Sequence, residues 1–146
     1  MPIPWDELQI GIETGRVELT VTGRMIDEYL DSMDSDHPWF TGGENPFGAR
    51  TAPPDLVPKL AMTALFQEFI HREIGPNIRA KQAFKFFAPV HPGMKVQAVG
   101  RLVEKYERRG KHFVTLEALF TDDKGTPLVL DRRTQLVLSP DFKMQK

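Results

Sequence analysis

The chain has 146 residues and no cysteine. That absence excludes disulfides, thiolate zinc centres and a cysteine nucleophile, and it fits a reducing compartment. The first residues also lack the marks of a secretory leader. Met1-Pro2-Ile3-Pro4-Trp5-Asp6-Glu7 offers neither a basic start nor an apolar run, so no signal peptide is expected. No apolar stretch reaches the ~18 residues that cross a bilayer. The expectation is a cytoplasmic protein with no membrane partner. An excess of one charge is also absent. Lys and Arg number 19 against 20 Asp and Glu, a net charge of -1, which leaves no electrostatic footprint for nucleic acid. No residues have a recognisable metal-ligand spacing. Asp34 and Glu44 are the oxygen candidates, and no metal is expected. There is no internal repeat and no low-complexity segment, and a single domain over 1–146 is expected.

What is present is helical spacing early and strand alternation late. Residues 1–14 are punctuated by Pro and Gly and read as an N-terminal extension. Residues 16–21 alternate polar with apolar, as a short strand does. Thr22 can cap a helix in which Met25, Ile26, Tyr29, Leu30 and Met33 fall at helical spacing. Residues 36–54 hold three Gly and four Pro. That predicts a long irregular loop, the kind of segment that carries function in a small domain. Pro53-Pro54-Asp55 then opens a central helix over 54–74. It is apolar almost all round and so should be buried over most of its length, and Gly75-Pro76-Asn77 stops it.

Four strands are predicted after the helix, over 81–88, 96–106, 112–121 and 128–138. The turns between them fall at 89–93, 108–111 and 122–126. Phe84 and Phe86 share a face and, with Phe87, read as sheet core. A helix that needs burial on most sides is best served by one antiparallel sheet curled around it, an α+β arrangement. Such a sheet has open edges, so at least a dimer is expected.

Several runs occur in a telling order. They are Ala52-Pro53-Pro54 at the helix start, Phe84-Lys85-Phe86-Phe87-Ala88-Pro89-Val90-His91-Pro92-Gly93, and Val103 through Lys111. The turn from Asp122 to Gly125 completes them. In this order and spacing the chain resembles the MaoC-like hot-dog proteins. It is most similar to the branch called the N-terminal domain of MaoC dehydratases, or fatty-acid-synthase-type dehydratase. The resemblance extends from about Gly23 to Leu138 and implies a hot-dog fold. It also implies a chemistry: hydration of trans-2-enoyl-CoA thioesters to (R)-3-hydroxyacyl thioesters, or the reverse. CoA would enter as part of the substrate, and no separate cofactor is implied. Active members carry Gly-Asp-x-Asn-Pro-x-His after the first helix, where Asp and His hold a water near the double bond. An Ala-His-Gly turn at the helix start offers N–H groups to the thioester carbonyl.

Laid on Pro38, that motif places the family Asp on Ser35, its Asn on His37 and its His on Phe40. The family His-Gly falls on Pro53-Pro54. Ser and Phe cannot carry the proton transfer that Asp and His perform, and two prolines remove two N–H donors. Within the branch, this pattern implies a non-catalytic half that pairs with a catalytic hot-dog half. The partner is therefore expected to be a homologous hot-dog subunit in a separate protein, in a homo- or heterodimer, with acyl-CoA as ligand.

The remaining candidates each have two readings. Asp36 and His37 are either an improvised acid–base pair or a helix-end cap in a solvated loop. Asp55 either favours the helix dipole or meets a partner's active-site residue. Trp39, Phe40 and Phe47 either line an acyl or aromatic pocket or plug one. Pro53 and Pro54 would border the same site. Arg101, Lys105, Arg108, Arg109 and Lys111 surround one hairpin, with Arg132 and Arg133 on a neighbouring strand. They suit CoA phosphates or simply charge an edge. His91 and His112 read as surface or turn residues. The leading expectation is a subunit of an enoyl-CoA hydratase or 3-hydroxyacyl thioester dehydratase. The alternatives are a homodimeric binding protein for acyl-CoA or a small aromatic acid, and an independent hydratase using Asp36, His37 or Glu44.

Overall fold

Strand alternation puts one face of each strand on a helix and the other outward. The computed structural model describes residues 2–138. In it, five antiparallel strands form one sheet: β1 (Glu13–Thr20), β2 (Asn77–Phe86), β3 (Lys95–Arg108), β4 (Lys111–Asp122) and β5 (Pro127–Val137). Their lateral order is β1-β3-β4-β5-β2. The helices are α1 (Gly23–Met33), α2 (Pro38–Thr41) and α3 (Leu56–Met62). The helix continues beyond α3 through two wider π-type turns, Thr63–Gln67 and Ile70–Ile74. Leu56, Val57, Ala61, Leu65, Phe66 and Phe69 of this helix are buried with Val96, Leu102, Leu116 and Phe120 of the sheet. This is the α+β hot-dog arrangement, a sheet curled around one helix.

Local chemistry explains the element ends. Thr22 caps α1 by accepting the Met25 N–H at 3.1 Å. Arg109 and Gly110 both have positive φ, 53° and 75°, as a two-residue hairpin turn requires. In the second turn the Asp122 carboxylate accepts the Lys124 and Thr126 N–H groups, each at 2.9 Å.

The wide turn Thr63–Gln67 lies against β1 and β3 backbone to backbone. The Thr14 hydroxyl donates to the Leu65 carbonyl at 2.7 Å. A Cβ on Gly15 would collide with the Ala64 carbonyl, and one on Gly100 would sit 3.0 Å from the Leu65 carbonyl. Only glycine lets the helix approach this closely.

Several sequence expectations need correction. The first strand starts at Glu13, so the extension expected over 1–14 ends earlier, and its Leu8 is part of the core. The loop expected over 36–54 contains α2, because His37 caps a turn that Pro38 can begin. The central helix starts at Leu56, and its burial is one-sided: Leu60 is 49% exposed. β2 runs from Asn77 to Phe86 instead of 81–88. It pairs with β5 and not with β3, its successor in sequence. That placement overturns the core assignment of Phe84, Phe86 and Phe87, which are 36%, 51% and 46% exposed. β2 is an edge strand lying beyond the helix, and among the described residues nothing fully covers those rings.

Candidate functional site

The loop before the central helix is held by named bonds. The His37 Nδ1 accepts the Trp39 N–H at 3.3 Å and so caps α2. Phe40 is half-buried and packs on the core, while Trp39 and Phe47 are 38% and 49% exposed and meet edge to face at 5.8 Å. The Thr51 N–H donates to the Trp39 carbonyl at 2.9 Å. Arg50 donates to the Phe40 carbonyl and pairs with Asp27 of α1. The His91 ring donates through Nδ1 to the Arg50 carbonyl at 2.8 Å. Sequence reasoning gave Arg50 no role and left His91 without a partner. Their partners are a carbonyl and a carboxylate distant in sequence, which no local pattern records.

Neither Ser35 nor Phe40, the positions on which the resemblance lays the family Asp and His, is an acid or a base. Ser35 donates its N–H to the Leu30 carbonyl at 3.0 Å, and its hydroxyl oxygen faces the His37 N–H at 3.5 Å. Phe40 brings a hydrocarbon ring. Among the described residues no hydrogen bond joins Asp36 to His37, and no cluster of three or more metal-ligating side chains includes Asp34 or Glu44. The helix start is equally short of donors. Pro53 and Pro54 have no N–H, Ala52 donates to the Val90 carbonyl at 2.7 Å, and Leu56 donates to the Pro53 carbonyl at 3.0 Å.

Asp55 has a specific partner. Its carboxylate makes no capping bond to α3. It accepts instead from the Tyr29 hydroxyl at 2.7 Å, with the Lys59 ammonium 5.2 Å from the centre of the Tyr29 ring. Burial, followed by the bond to and the charge of Asp55, pushes the Tyr29 hydroxyl up from 10.0 to about 12. Tyr29 lay on the apolar stripe of α1 in the sequence. A buried tyrosine hydroxyl needs a partner, and that signal pointed to an acceptor without saying which. The native state holds this proton more tightly than the unfolded chain. The stabilisation is therefore complete below pH 10.0 and is lost as pH rises from there toward 12. Urea denaturation between about pH 9 and about pH 11.5 should show a steeper loss for the wild type than for Tyr29→Phe. Equal slopes would remove the Tyr29–Asp55 bond from the account.

Beside Asp55 lies a cleft of about 240 Å³ between the helix flank and β2. A second, of about 600 Å³, continues along the same flank toward Gly75. Met62, Arg79 and Arg133 line both, so the two form one groove. Its rim carries Lys59 and Phe84 at one end and Gln67 and His71 at the other.

The basic residues do not converge on this groove's loop end. Arg108 and Arg109 lie at the β3–β4 tip, where His112 pairs with Val137 and Val137 with Asn77. That is the far end of the sheet from Trp39, Phe40, Phe47, Pro53 and Pro54. Lys105 donates to the Trp5 and Asp6 carbonyls at 3.1 and 3.0 Å, and Trp5 stacks on His112 at 4.3 Å. Arg132 bridges Glu104 and Glu117 at 2.9 and 3.0 Å. Arg133 is not on that surface at all. It is 4% exposed and pairs with Asp131 beneath the helix.

Among the described residues, no helix is long and apolar enough to cross a membrane. No curated protein matches the chain. Solved structures do. One is the monoamine oxidase regulatory protein of Archaeoglobus fulgidus, at 22% identity and a TM-score of 0.80 over 93% of this chain and 94% of that one. The 3R-hydroxyacyl-ACP dehydratase complex HadBC of Mycobacterium tuberculosis matches at 25% identity and 0.72, over 89% and 98%. The ChsH1-ChsH2 complex of the same organism matches at 12% and 0.72, over 90% and 86%. The family model for the FAS1-like, dehydratase domain region matches residues 8–131. With that match, the hot-dog sheet and the helix it encloses, the chain belongs to the FAS1-like dehydratase-region family of MaoC-like hot-dog proteins.

Proposed function

We propose that the chain is the non-catalytic half of a hydratase or dehydratase acting on acyl thioesters. A homologous hot-dog subunit with an intact Asp and His supplies the chemistry. The observation that carries this reading is the pairing of a complete fold with Ser35 and Phe40 at the two reacting positions. The filled helix start supports it: the backbone donors of Thr51, Ala52 and Leu56 already have acceptors, so little remains to polarise a thioester. HadBC and ChsH1-ChsH2 are two-protein complexes by name, which supports a homologous partner for this chain as well. Its own contribution is the groove between the helix and β2, a wall for the acyl chain. A CoA thioester is the substrate form, and no resident cofactor takes part.

The test is crotonyl-CoA hydration by the chain alone, by a homologous hot-dog protein with the intact motif, and by the two together. The lone chain should stay at background. The pair should exceed the partner alone by at least ~10-fold, because the acyl wall orients the substrate. Robust turnover by the lone chain overturns the reading.

A further inference from the structure

The sheet has two edges, and they differ. β1 carries both signs, and Arg16 already pairs with Glu13 at 2.7 Å. Its Val17 and Leu19 pack on the core. β2 is the opposite case. It is ten residues long and exposed along nearly its whole length. From Asn77 to Phe87 it holds Arg79, Lys81 and Lys85 and neither Asp nor Glu. None of those three cations makes an ion pair among the described residues. Lysines on an edge can simply prevent aggregation. A merely protected edge would be short or polar. This one also exposes Ile78, Phe84, Phe86 and Phe87, at 45%, 36%, 51% and 46%. Phe84 and Phe86 stack on each other at 5.8 Å. An apolar row with an open backbone ladder is built to be covered.

The sign of the charge decides by what. In an antiparallel pair, opposed residues point to the same face. Lys81 and Lys85 oppose Thr134 and Leu130 of β5, on the face away from the helix. Two copies joined by a twofold axis at Ala83 would set Lys81 against Lys85 twice. A register centred on Gln82 or Phe84 leaves them diagonal, ~7–8 Å apart and within a Debye length. Every such seam holds cations from both copies and no anion. A strand with Asp or Glu four residues apart on that face would meet both lysines. Apolar side chains on its other face would meet Phe84 and Phe86.

We propose that β2 is a charge-selective docking edge, which takes the acidic edge strand of a different hot-dog chain and disfavours a second copy of itself. This rests on the heteromeric reading above and specifies the partner's chemistry. The signal was present in the sequence as an all-cationic strand. It gained meaning only when β2 proved to be at the edge.

The probe is a copy of this chain with Arg79→Glu, Lys81→Glu and Lys85→Glu. All three positions are exposed, and thermal melting checks that the fold survives. Self-association of each chain and association of the mixture are measured by sedimentation at low and high salt. The mixed pair should form at least ~10-fold more tightly than either self-pair, and ~0.5 M salt should shrink the preference to less than ~3-fold. A wild-type homodimer as tight as the mixed pair overturns the proposal. So does a preference indifferent to salt, or no association in any mixture. Both chains in this mixture are copies without the family Asp and His pair, so no outcome here depends on hydratase activity. Failure of the separate crotonyl-CoA assay alongside a normal charge preference sinks the proposed function alone, and success of that assay without the preference sinks this inference alone.

Discussion

Replacing Arg133 with methionine should cost the fold about 3–5 kcal/mol, the usual penalty for leaving a buried charge without its partner. Arg133 and Asp131 are 4% and 0% exposed and meet at 2.7 Å. The guanidinium also lies 4.7 Å from the Phe66 ring centre, so the helix covers the pair. The penalty comes from Asp131. Its second oxygen already lacks a partner among the described residues, and without Arg133 the carboxylate would be stranded under a hydrocarbon helix. Thermal melting should register a fall of roughly 10 °C or more for a chain of this size. The double variant Asp131→Leu with Arg133→Met should recover most of the loss, because an apolar pair of similar volume removes both desolvation penalties. A single variant that costs under ~1 kcal/mol would mean that water reaches the pair.

Gly15→Ala should be as damaging for a different reason. The added methyl would meet the Ala64 carbonyl and lie 3.0 Å from the Leu65 Cα. Both obstacles are backbone, so the strain cannot be relieved by rotating a side chain. Overpacking usually costs ~1–3 kcal/mol, and a backbone collision belongs at or above the upper end. Gly23→Ala is the comparison. There the nearest atom is the tip of the flexible Arg50 side chain at 3.3 Å, and Gly23 opens α1, where alanine gains up to ~1 kcal/mol of helix propensity. Urea denaturation of the two variants should therefore separate by at least ~2 kcal/mol. If they match, the wide turn Thr63–Gln67 does not press on β1 as described.

Both predictions concern places where sequence reasoning stopped short. Alternation marked Arg133 as a strand residue, and its charge suggested a surface shared with Arg108 and Arg109. Period-two alternation says which residues share a face but not which face is inward when a polar row sits on it. The row Asp131, Arg133, Gln135 is such a case: its polar groups face the helix, and Gln135 reaches Asn77 at 2.7 Å. The glycines fared similarly. No local pattern around Gly15 or Gly100 announces that the helix backbone lies against them.

The expected site came from a motif and a register alone, which lay the family Asp and His on Ser35 and Phe40. Its attachments were not legible. Tyr29 with Asp55, Arg50 with Asp27 and His91 with the Arg50 carbonyl join residues 23 to 41 apart, and spacing carries no information at that range.

The sequence by itself determined the main helices, the strands and the curled-sheet architecture. Each of these depends on local periodicity, caps and turns. Only the tertiary structure decided the lateral order of strands, and with it the fate of β2. β2 follows the helix and precedes β3 in sequence, yet it lies at the far edge beside β5. Strand order is set by which neighbour closes the sheet around the helix, a long-range choice that no single strand encodes. That choice turned Phe84 and Phe86 from expected core into exposed surface. It also placed Lys81 and Lys85 on an open edge, where their charge can select a partner.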